Sequence, residues 1–279
     1  MESTVIGNKK LIFHLYVFDG FENNLYTHLH EICLKNFISY FDSAIFSIAV
    51  DDLNDYSKIQ LGISFVNRIC NGVLPYDIVI IQNNKELREV STFKQIVIPL
   101  IVKGTDECVF FAHNKGCTHY YGHDYSVARW CILMYYYSFY DMNELCENFK
   151  NGKAFYGFSL YERTEDLNHC YLARYPFFYA GTFYWMNIKR IKELAGEHIL
   201  DLFSFVNDKY SAEEFPRFFD YNQLSSHKNI VLRNLKECHN MYSMYSDMWV
   251  DFIRLYFDKD CEIIPFMDEV IMEIIRRNS

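Results

Sequence analysis

Up to residue 116, the chain alternates between continuous apolar runs and segments in which apolar residues recur at helical spacing. This alternation restricts the fold more than any other feature. Residues 10–18, KLIFHLYVF, form a nearly unbroken apolar run, which is typical of a strand buried on both faces. From Asn24 onward, apolar residues recur at helical spacing, and residues 44–52 then return to strand character. A strand, a helix and a second strand in this order predict an α/β fold with a mostly parallel, Rossmann-like sheet flanked by helices.

The same alternation continues beyond the second strand. Residues 57–70 predict a second helix and residues 77–84 a third strand. Residues 86–103 predict a helix interrupted near Pro99, because proline lacks the N–H donor that a helix interior needs. The run CVFFAHNKG, residues 108–116, predicts the fourth strand.

The rest of the chain is less regular. It predicts an aromatic helix around residues 130–140, strands at residues 154–161 and 177–187, and a helical region from about residue 225. No linker or internal repeat divides it. We therefore expect one domain over residues 1–224, with residues 225–279 as a helical C-terminal extension packed on it.

Composition excludes several classes of protein. A net charge of -9 argues against a nucleic-acid binder, because phosphate contacts need a concentrated basic surface. The nine cysteines are scattered without a CxxC pair, which is typical of reduced thiols in a cytoplasmic protein. No apolar run reaches the roughly 20 residues of a membrane span, and no signal pattern opens the chain. We expect a cytoplasmic protein, with peripheral contact at the inner face of the membrane left open.

Polar side chains follow three of the predicted strands. They are Asp51 and Asp52 after the second strand, Asn83 and Asn84 after the third, and His113, Asn114 and Lys115 after the fourth. In parallel sheets, ligands bind beyond the carboxyl ends of the strands, so one crevice is expected to gather these groups.

Two interpretations compete for the stretch VFFAHNKGCTHYYGHD, residues 109–124. His113, Cys117, His119 and His123 have the ligand types of a zinc site, but their spacing matches no common zinc motif. The favoured interpretation is a ligand cradle, in which Lys115 neutralises a phosphate and Gly116 lets the backbone approach closely. Asp51 and Asp52 would accept hydrogen bonds from a uracil ring N–H or from ribose hydroxyls.

Two later segments carry further candidates. In YAGTFYWMN, residues 179–187, Gly181 and Thr182 leave room for a substrate, and Tyr184 and Trp185 offer aromatic faces to a sugar, with core packing as the alternative. Glu213 and Glu214 are candidates for a general base, with a solvated polar loop as the alternative.

Taken together, FFAHNKG, Trp130, AGTFYW and Glu213 or Glu214 resemble a family of bacterial glycosyltransferases of surface-polysaccharide assembly with a GT-A-like fold. Members carry a strand ending near His-Thr-Lys-Gly, a tryptophan in the next helix, then Gly-Asn-Phe-Trp-Trp and a late glutamate. The resemblance covers residues 10–220. Asn114, Thr182 and Tyr184 depart from the pattern, so the choice of sugar is not carried over.

The resemblance also bears on metal use. Many GT-A enzymes hold a divalent metal with an Asp-x-Asp motif after the fourth strand, and HNK stands there in this chain. The resemblance therefore implies that Lys115, with His113, supplies the positive charge. A metal held by Asp51 or Asp52 is the weaker interpretation, and no resident cofactor is expected.

The sequence thus predicts a glycosyltransferase that moves a sugar from a nucleotide-sugar donor, a UDP-sugar first, to a glycan or lipid-linked acceptor. Asp51, Asp52 and Asn83 would bind the nucleoside and His113, Asn114 and Lys115 the diphosphate. Trp130, Gly181, Thr182, Tyr184 and Trp185 would bind the sugar or acceptor. Glu213 or Glu214 would deprotonate the acceptor in a transfer with inversion. The alternatives are a non-catalytic carbohydrate-binding protein on the same scaffold and a zinc hydrolase.

Overall fold

The computed structural model describes residues 7–117, 126–158, 160–162, 177–179, 181–226 and 231–232, and their strands form two sheets. The strands of the larger sheet are β1 (Asn8–Tyr16), β2 (Ser43–Val50), β3 (Tyr76–Gln82), β4 (Glu107–His113), β5 (Phe155–Gly157), β8 (Tyr184–Asn187) and β9 (Leu224–Ser226). The strands of the smaller sheet are β6 (Leu160–Glu162), β7 (Phe177–Tyr179) and β10 (Val231–Leu232).

Helices connect and flank these strands. The α-helices are α1 (Leu25–Phe37), α2 (Tyr56–Cys70), α3 (Val90–Thr92), α4 (Ile98–Lys103), α5 (Ser126–Phe139), α6 (Met142–Lys150), α7 (Ile188–Ala195), α8 (Asp201–Phe205) and α9 (Ser211–Glu214). A π-helical turn, Phe93–Val97, joins α3 to α4 immediately before Pro99. Short 3₁₀ turns lie at Phe21–Asn23, Ile38–Tyr40, Gly196–Leu200, Phe215–Phe218 and Tyr221–Gln223.

The larger sheet has the strand order β3-β2-β1-β4-β8-β5-β9. The first four strands in this order are parallel to one another, β8 is antiparallel to both β4 and β5, and β9 is parallel to β5. This arrangement confirms the predicted α/β class with a mostly parallel sheet flanked by helices. The order β3-β2-β1-β4 is that of a Rossmann-like sheet.

The two faces of the sheet bury separate cores. Strand residues alternate, so Leu11, Phe13 and Leu15 of β1 pack on the face covered by α1, α2 and α5. Ile12 of the same strand packs on the opposite face, against α3, α4 and α7. His14 shares this second face and contacts Thr92 of α3. The pleat of β1 therefore aims a histidine at the helix that follows β3.

Several predicted boundaries were wrong. The strand predicted at residues 154–161 is divided between β5 and β6, and the strand predicted at residues 177–187 between β7 and β8, each pair in separate sheets. The second break occurs because Gly181 and Thr182 have φ angles of 87° and 61°, which no strand accommodates. Ser225 and Ser226 belong to β9 and not to a helix. Residues 233–279, most of the predicted helical extension, lie outside the described residues.

Candidate functional site

A cavity of about 430 Å³ lies beyond the carboxyl ends of β1 and β4. The two strands are parallel neighbours with His14 opposite His113, and the sheet extends from β1 towards β2 and from β4 towards β8. Two neighbouring parallel strands from which the sheet extends in opposite directions form a topological switch point. Ligands of open α/β sheets bind at such a point. The lining residues are His14, Tyr16, Asn83, Lys85, Arg88, Glu89, His113, Asn114, Lys115, Gly116, Cys117, Lys209, Tyr210 and Glu213.

Lys115 lies between an aromatic ring and a carboxylate in this cavity. Its Nζ is 4.2 Å from the centroid of the Trp130 ring and 3.9 Å from Glu213 Oε1. A ring face attracts a cation, and the carboxylate attracts it through its charge. Trp130, predicted to bind substrate, therefore supports the Lys115 ammonium, which is itself directed into the cavity.

A chain of hydrogen bonds links His113 to Glu213 through one residue. His113 Nε2 donates to Gly181 O at 3.1 Å, and Gly181 N donates to Glu213 Oε1 at 2.8 Å. Burial and the nearby Lys115 charge lower the pKa of His113 to about 3, so its imidazole is neutral at pH 7. Burial raises the pKa of Glu213, although the Lys115 charge acts in the opposite direction. The site thus pairs a neutral histidine with a carboxylate that binds protons more readily than usual.

Two glycines allow the backbone to pass close to this site. Gly116 has a φ of 86°, and a Cβ there would be 2.6 Å from the Tyr26 ring. Gly181 has a φ of 87°, and a Cβ there would be 2.5 Å from Met134 Sδ. Thr182 follows with a φ of 61°, is fully buried, and its Oγ1 has no hydrogen-bond partner in the described chain. A non-glycine residue in this region costs about 1–3 kcal/mol, and such strain clusters at functional sites.

Asn114 has a different role from the one predicted. Its Oδ1 accepts a hydrogen bond from Tyr16 N at 2.9 Å, and its Nδ2 donates to Tyr16 O at 2.8 Å. Both ends of the amide are therefore engaged, and the side chain is buried. Asn114 therefore holds the ends of β1 and β4 together at the cavity, and one N–H of its amide is committed to this link.

The residues after β2 and β3 divide into two groups. Asp51 accepts hydrogen bonds from Tyr16 Oη at 3.0 Å and from Asn83 Nδ2 at 2.8 Å, and both partners line the cavity. The Asn83 bond is the main reason why the pKa of Asp51 is lowered. Asp52 instead accepts from the backbone and side chain of Asn54 in an exposed turn. Asn84 caps the following loop. Asn83 therefore lines the cavity, whereas Asp51 is not among the lining residues and is linked to them through Tyr16 and Asn83.

The aromatic residues predicted to bind sugar are in the core, which corrects that prediction. Tyr184 and Trp185 are 0% exposed. Tyr184 Oη donates to the carbonyl of Ala212, and Trp185 Nε1 donates to the carbonyl of Ser138. Their faces are covered by other rings and cannot meet a ligand. The strand alternation in β8 packs Trp185 on one face and Tyr184 on the other.

The two candidate bases are also separated by the structure. Glu213 lines the cavity, whereas Glu214 is 4% exposed and is not among the lining residues. Both belong to α9, in which consecutive side chains point about 100° apart. Glu213 is therefore the candidate that reaches the site.

The donors after β4 do not fit a divalent metal. Asn114 uses its amide on Tyr16, His113 uses Nε2 on Gly181, and Lys115 is positive. In the ranges that the structure describes, no three His, Cys, Asp or Glu side chains are grouped to hold a metal ion. Of the zinc candidates, Cys117 is buried at the cavity, and His119 and His123 lie outside the described residues.

One residue missed by the sequence argument positions Lys115. His30 of α1 is buried, accepts a hydrogen bond from Tyr135 Oη at Nδ1 and donates from Nε2 to the Lys115 carbonyl at 2.9 Å. Burial lowers the pKa of His30 to about 3, so it stays neutral. The sequence signal that could have identified His30 is a histidine among the apolar residues that recur at helical spacing.

Further cavity residues were also missed. Lys85 and Arg88 come from the loop after β3, and Lys209 and Tyr210 precede α9. Within the described residues, Lys85 and Arg88 make no ion pair. Lys85 and Arg88 follow a predicted strand, so the expectation that strand ends line the crevice applies to them as well. No local sequence pattern predicts that Lys209 lines it. Together with Lys115 they give the cavity four cationic side chains.

No protein-family model matches this chain, and no curated protein is similar to it. Among the described helices, none combines the length and the apolar character needed to cross a bilayer.

Proposed function

We propose that this protein is a glycosyltransferase that moves a sugar from a nucleotide-sugar donor to a hydroxyl of a glycan or lipid-linked acceptor. The observation that carries the proposal is Lys115, whose Nζ is fixed between Trp130 and Glu213 in a cavity at the ends of β1 and β4. Lys85, Arg88 and Lys209 add positive charge around it. A cavity with this charge favours an anionic ligand such as a diphosphate.

The proposed reaction breaks the bond between the anomeric carbon and a diphosphate oxygen. That oxygen keeps the electron pair, the acceptor oxygen forms the new bond to carbon, and the acceptor proton passes to a base. Negative charge on the diphosphate increases as the bond breaks. A cation fixed beside it stabilises the transition state more than the bound donor, which accelerates the step.

The position of Glu213 limits its role. Burial raises its pKa, which makes its carboxylate a stronger base than an exposed glutamate. A displacement with inversion, however, needs the base and the leaving group on opposite faces of the sugar. With Lys115 at the leaving group, Glu213 is only 3.9 Å away and therefore on the same face. Glu213 can act as the base in a transfer with retention, and in a transfer with inversion it holds Lys115 and the Gly181 amide instead.

Asp51 supports a UDP-sugar as the donor. Its carboxylate is bonded to Tyr16 and Asn83, both of which line the cavity, and its remaining acceptor capacity suits a uracil N–H or a ribose hydroxyl. The proposed location is the cytoplasm, at the inner face of the membrane when the acceptor is lipid-linked.

Ligand binding and turnover test this proposal. A thermal-shift panel of nucleoside diphosphates and nucleotide sugars should show stabilisation by one nucleotide class, since a ligand that binds only the folded state stabilises it by RT ln(1 + [L]/Kd). Release of the nucleoside diphosphate in the presence of glycan acceptors then reports transfer, and NMR of the product gives its anomeric configuration. Failure of every nucleotide to bind would overturn the proposal.

A further inference from the structure

Glu89 is a buried acid in the wall of the cavity. It is 8% exposed, and neither of its side-chain oxygens accepts a hydrogen bond from any described residue. Its closest ionisable contact is His113 Nε2 at 4.0 Å, and that nitrogen already donates to Gly181. Because Glu89 lines the cavity, an occupant that supplies hydrogen-bond donors can bond directly to this carboxylate.

His14 provides a second acceptor in the same cavity. Thr92 donates its hydroxyl to Ser47 at 2.7 Å, so the Thr92 oxygen accepts from His14 Nδ1–H at 2.8 Å. Burial lowers the pKa of His14 to about 4, and the ring is therefore neutral at pH 7. A neutral imidazole with its proton on Nδ1 has a lone pair on Nε2. That nitrogen has no partner in the described part of the chain.

The chemistry of these acceptors selects the kind of group that fits. Both need donors, which hydroxyls, amines and ammonium groups supply. The cavity also holds Lys85, Arg88, Lys115 and Lys209 against the two carboxylates of Glu89 and Glu213, an excess of positive charge that disfavours a cationic ligand. Neutral hydroxyl groups satisfy the acceptors without meeting this repulsion.

We propose that Glu89 and His14 form the subsite that binds the hydroxyl groups of the transferred sugar. The inference rests on the proposed function and assigns the sugar to residues other than the buried Tyr184 and Trp185. The two oxygens of Glu89 accept from adjacent hydroxyls of the ring, and His14 Nε2 accepts from a third. Lys115 and the other cations hold the diphosphate in the same cavity.

The test compares binding of UDP with binding of UDP-glucose, UDP-galactose and UDP-glucosamine by titration calorimetry. Glu89→Gln keeps the shape of the side chain and weakens acceptance. We expect it to lower affinity for the preferred UDP-sugar about 10- to 100-fold, as expected for hydrogen bonds to a charged group, and to change UDP affinity less than about threefold. Glu86→Gln, an exposed glutamate in the same loop that does not line this cavity, serves as the matched control.

Each result supports or overturns a defined part of the argument. Equal weakening of UDP and UDP-sugar by Glu89→Gln, or no weakening of either, overturns the subsite. Preference of the wild type for UDP-glucosamine over the neutral sugars overturns the hydroxyl assignment. Wild-type protein that binds none of the nucleotides overturns the proposed function, and the subsite with it. His14→Asn provides a second variant, which should weaken UDP-sugar binding without altering UDP binding.

Discussion

His30 Nε2 donates a hydrogen bond of 2.9 Å to the carbonyl oxygen of Lys115, 85 positions later in the chain. This contact joins α1 to the loop after β4. Asn24, which caps the start of α1, also donates to the carbonyl of Cys117 at 3.3 Å in the same loop. The backbone at Lys115 is thus fixed by a helix that contributes no side chain to the lining of the cavity.

Replacing His30 by Phe should reduce turnover through the position of Lys115. The change keeps bulk in the core but removes the donor, and small displacements of a catalytic group can cost up to about 100-fold in rate. We expect kcat to fall at least about 10-fold, with a smaller change in KM. His30→Gln should restore part of the rate because its amide can donate. Exposed His28 supplies the control, His28→Gln, and equal rates for His30→Phe and wild type would exclude the positioning role.

Replacing Lys115 by Met should reduce turnover by about 100-fold or more, judged from the loss of single electrostatic groups elsewhere. Met keeps most of the bulk above Trp130 and removes the charge. Donor affinity should fall less than turnover, because the charge on the leaving diphosphate is greatest in the transition state. Steady-state kinetics and calorimetry measure the two quantities. Lys150→Met, on the exposed end of α6, is the matched control, and normal turnover in a folded Lys115→Met protein would contradict the proposed chemistry.

Asp51 and Asp52 should behave differently although they are adjacent. Asp51→Ala should weaken nucleotide binding by about 1–3 kcal/mol, the worth of a hydrogen bond to a charged group, because Asp51 is bonded to Tyr16 and Asn83, both of which line the cavity. Asp52→Ala should leave affinity unchanged, since Asp52 bonds to Asn54 in its own turn. Titration of both variants with UDP measures this difference. Equal affinities for the two variants would remove Asp51 from the binding site.

The sequence predicted the parallel half of the fold well because periodicity and burial agree there. Leu11 and Phe13 pack in one apolar core and Ile12 in the other. A strand buried on both faces reads as a continuous apolar run, which the sequence shows directly. Sequence reasoning failed around Gly181, where two left-handed residues break a run that is apolar throughout. It also failed for Trp185, since an apolar ring has the same sequence signature whether it packs in the core or faces a ligand.

The cavity lies at the strand ends, where a crevice was predicted, but several of its lining residues were not predicted. His113 and Lys115 line it because parallel strands deliver their carboxyl ends to one edge. Lys209 and Glu213 reach the same cavity from far along the chain, and only the three-dimensional path of residues 201–214 brings them there. Which of Glu213 and Glu214 faces the cavity depends on the direction in which each side chain leaves the helix. The sequence of two adjacent glutamates does not contain this information.

Chelation should leave nucleotide binding and transfer intact. The residues after β4 offer a lysine, a bonded amide and a bonded imidazole in place of carboxylates, and in the proposed reaction Lys115 supplies the charge that a divalent ion would otherwise supply. The measurement is UDP affinity and turnover with and without EDTA. Loss of both on chelation, with recovery on addition of manganese or magnesium, would show that an acid such as Asp51 holds an ion.

Three buried histidines should make the protein sensitive to mild acid. The pKa values of His14, His30 and His113 are lowered from 6.5 to about 4, 3 and 3, chiefly by burial. Below pH 6.5 the unfolded chain therefore takes up protons that the folded chain does not. The free energy of unfolding should then fall as the pH decreases from 6.5 towards 4, by about 2 kcal/mol for each histidine at pH 5.

Glu213 changes the pH dependence of the free energy of unfolding in the opposite direction from the histidines. Variants separate the contributions of these residues. Its raised pKa means that the folded state binds a proton more readily than the unfolded state, so its contribution to stability is greatest in acid and is lost as the pH rises. Urea unfolding at pH 7 and pH 5 measures the net slope. His30→Gln should reduce the loss of stability between these pH values by about 2 kcal/mol, whatever its effect on stability at pH 7. An identical slope for His30→Gln and wild type would mean that His30 is not held neutral in the folded protein.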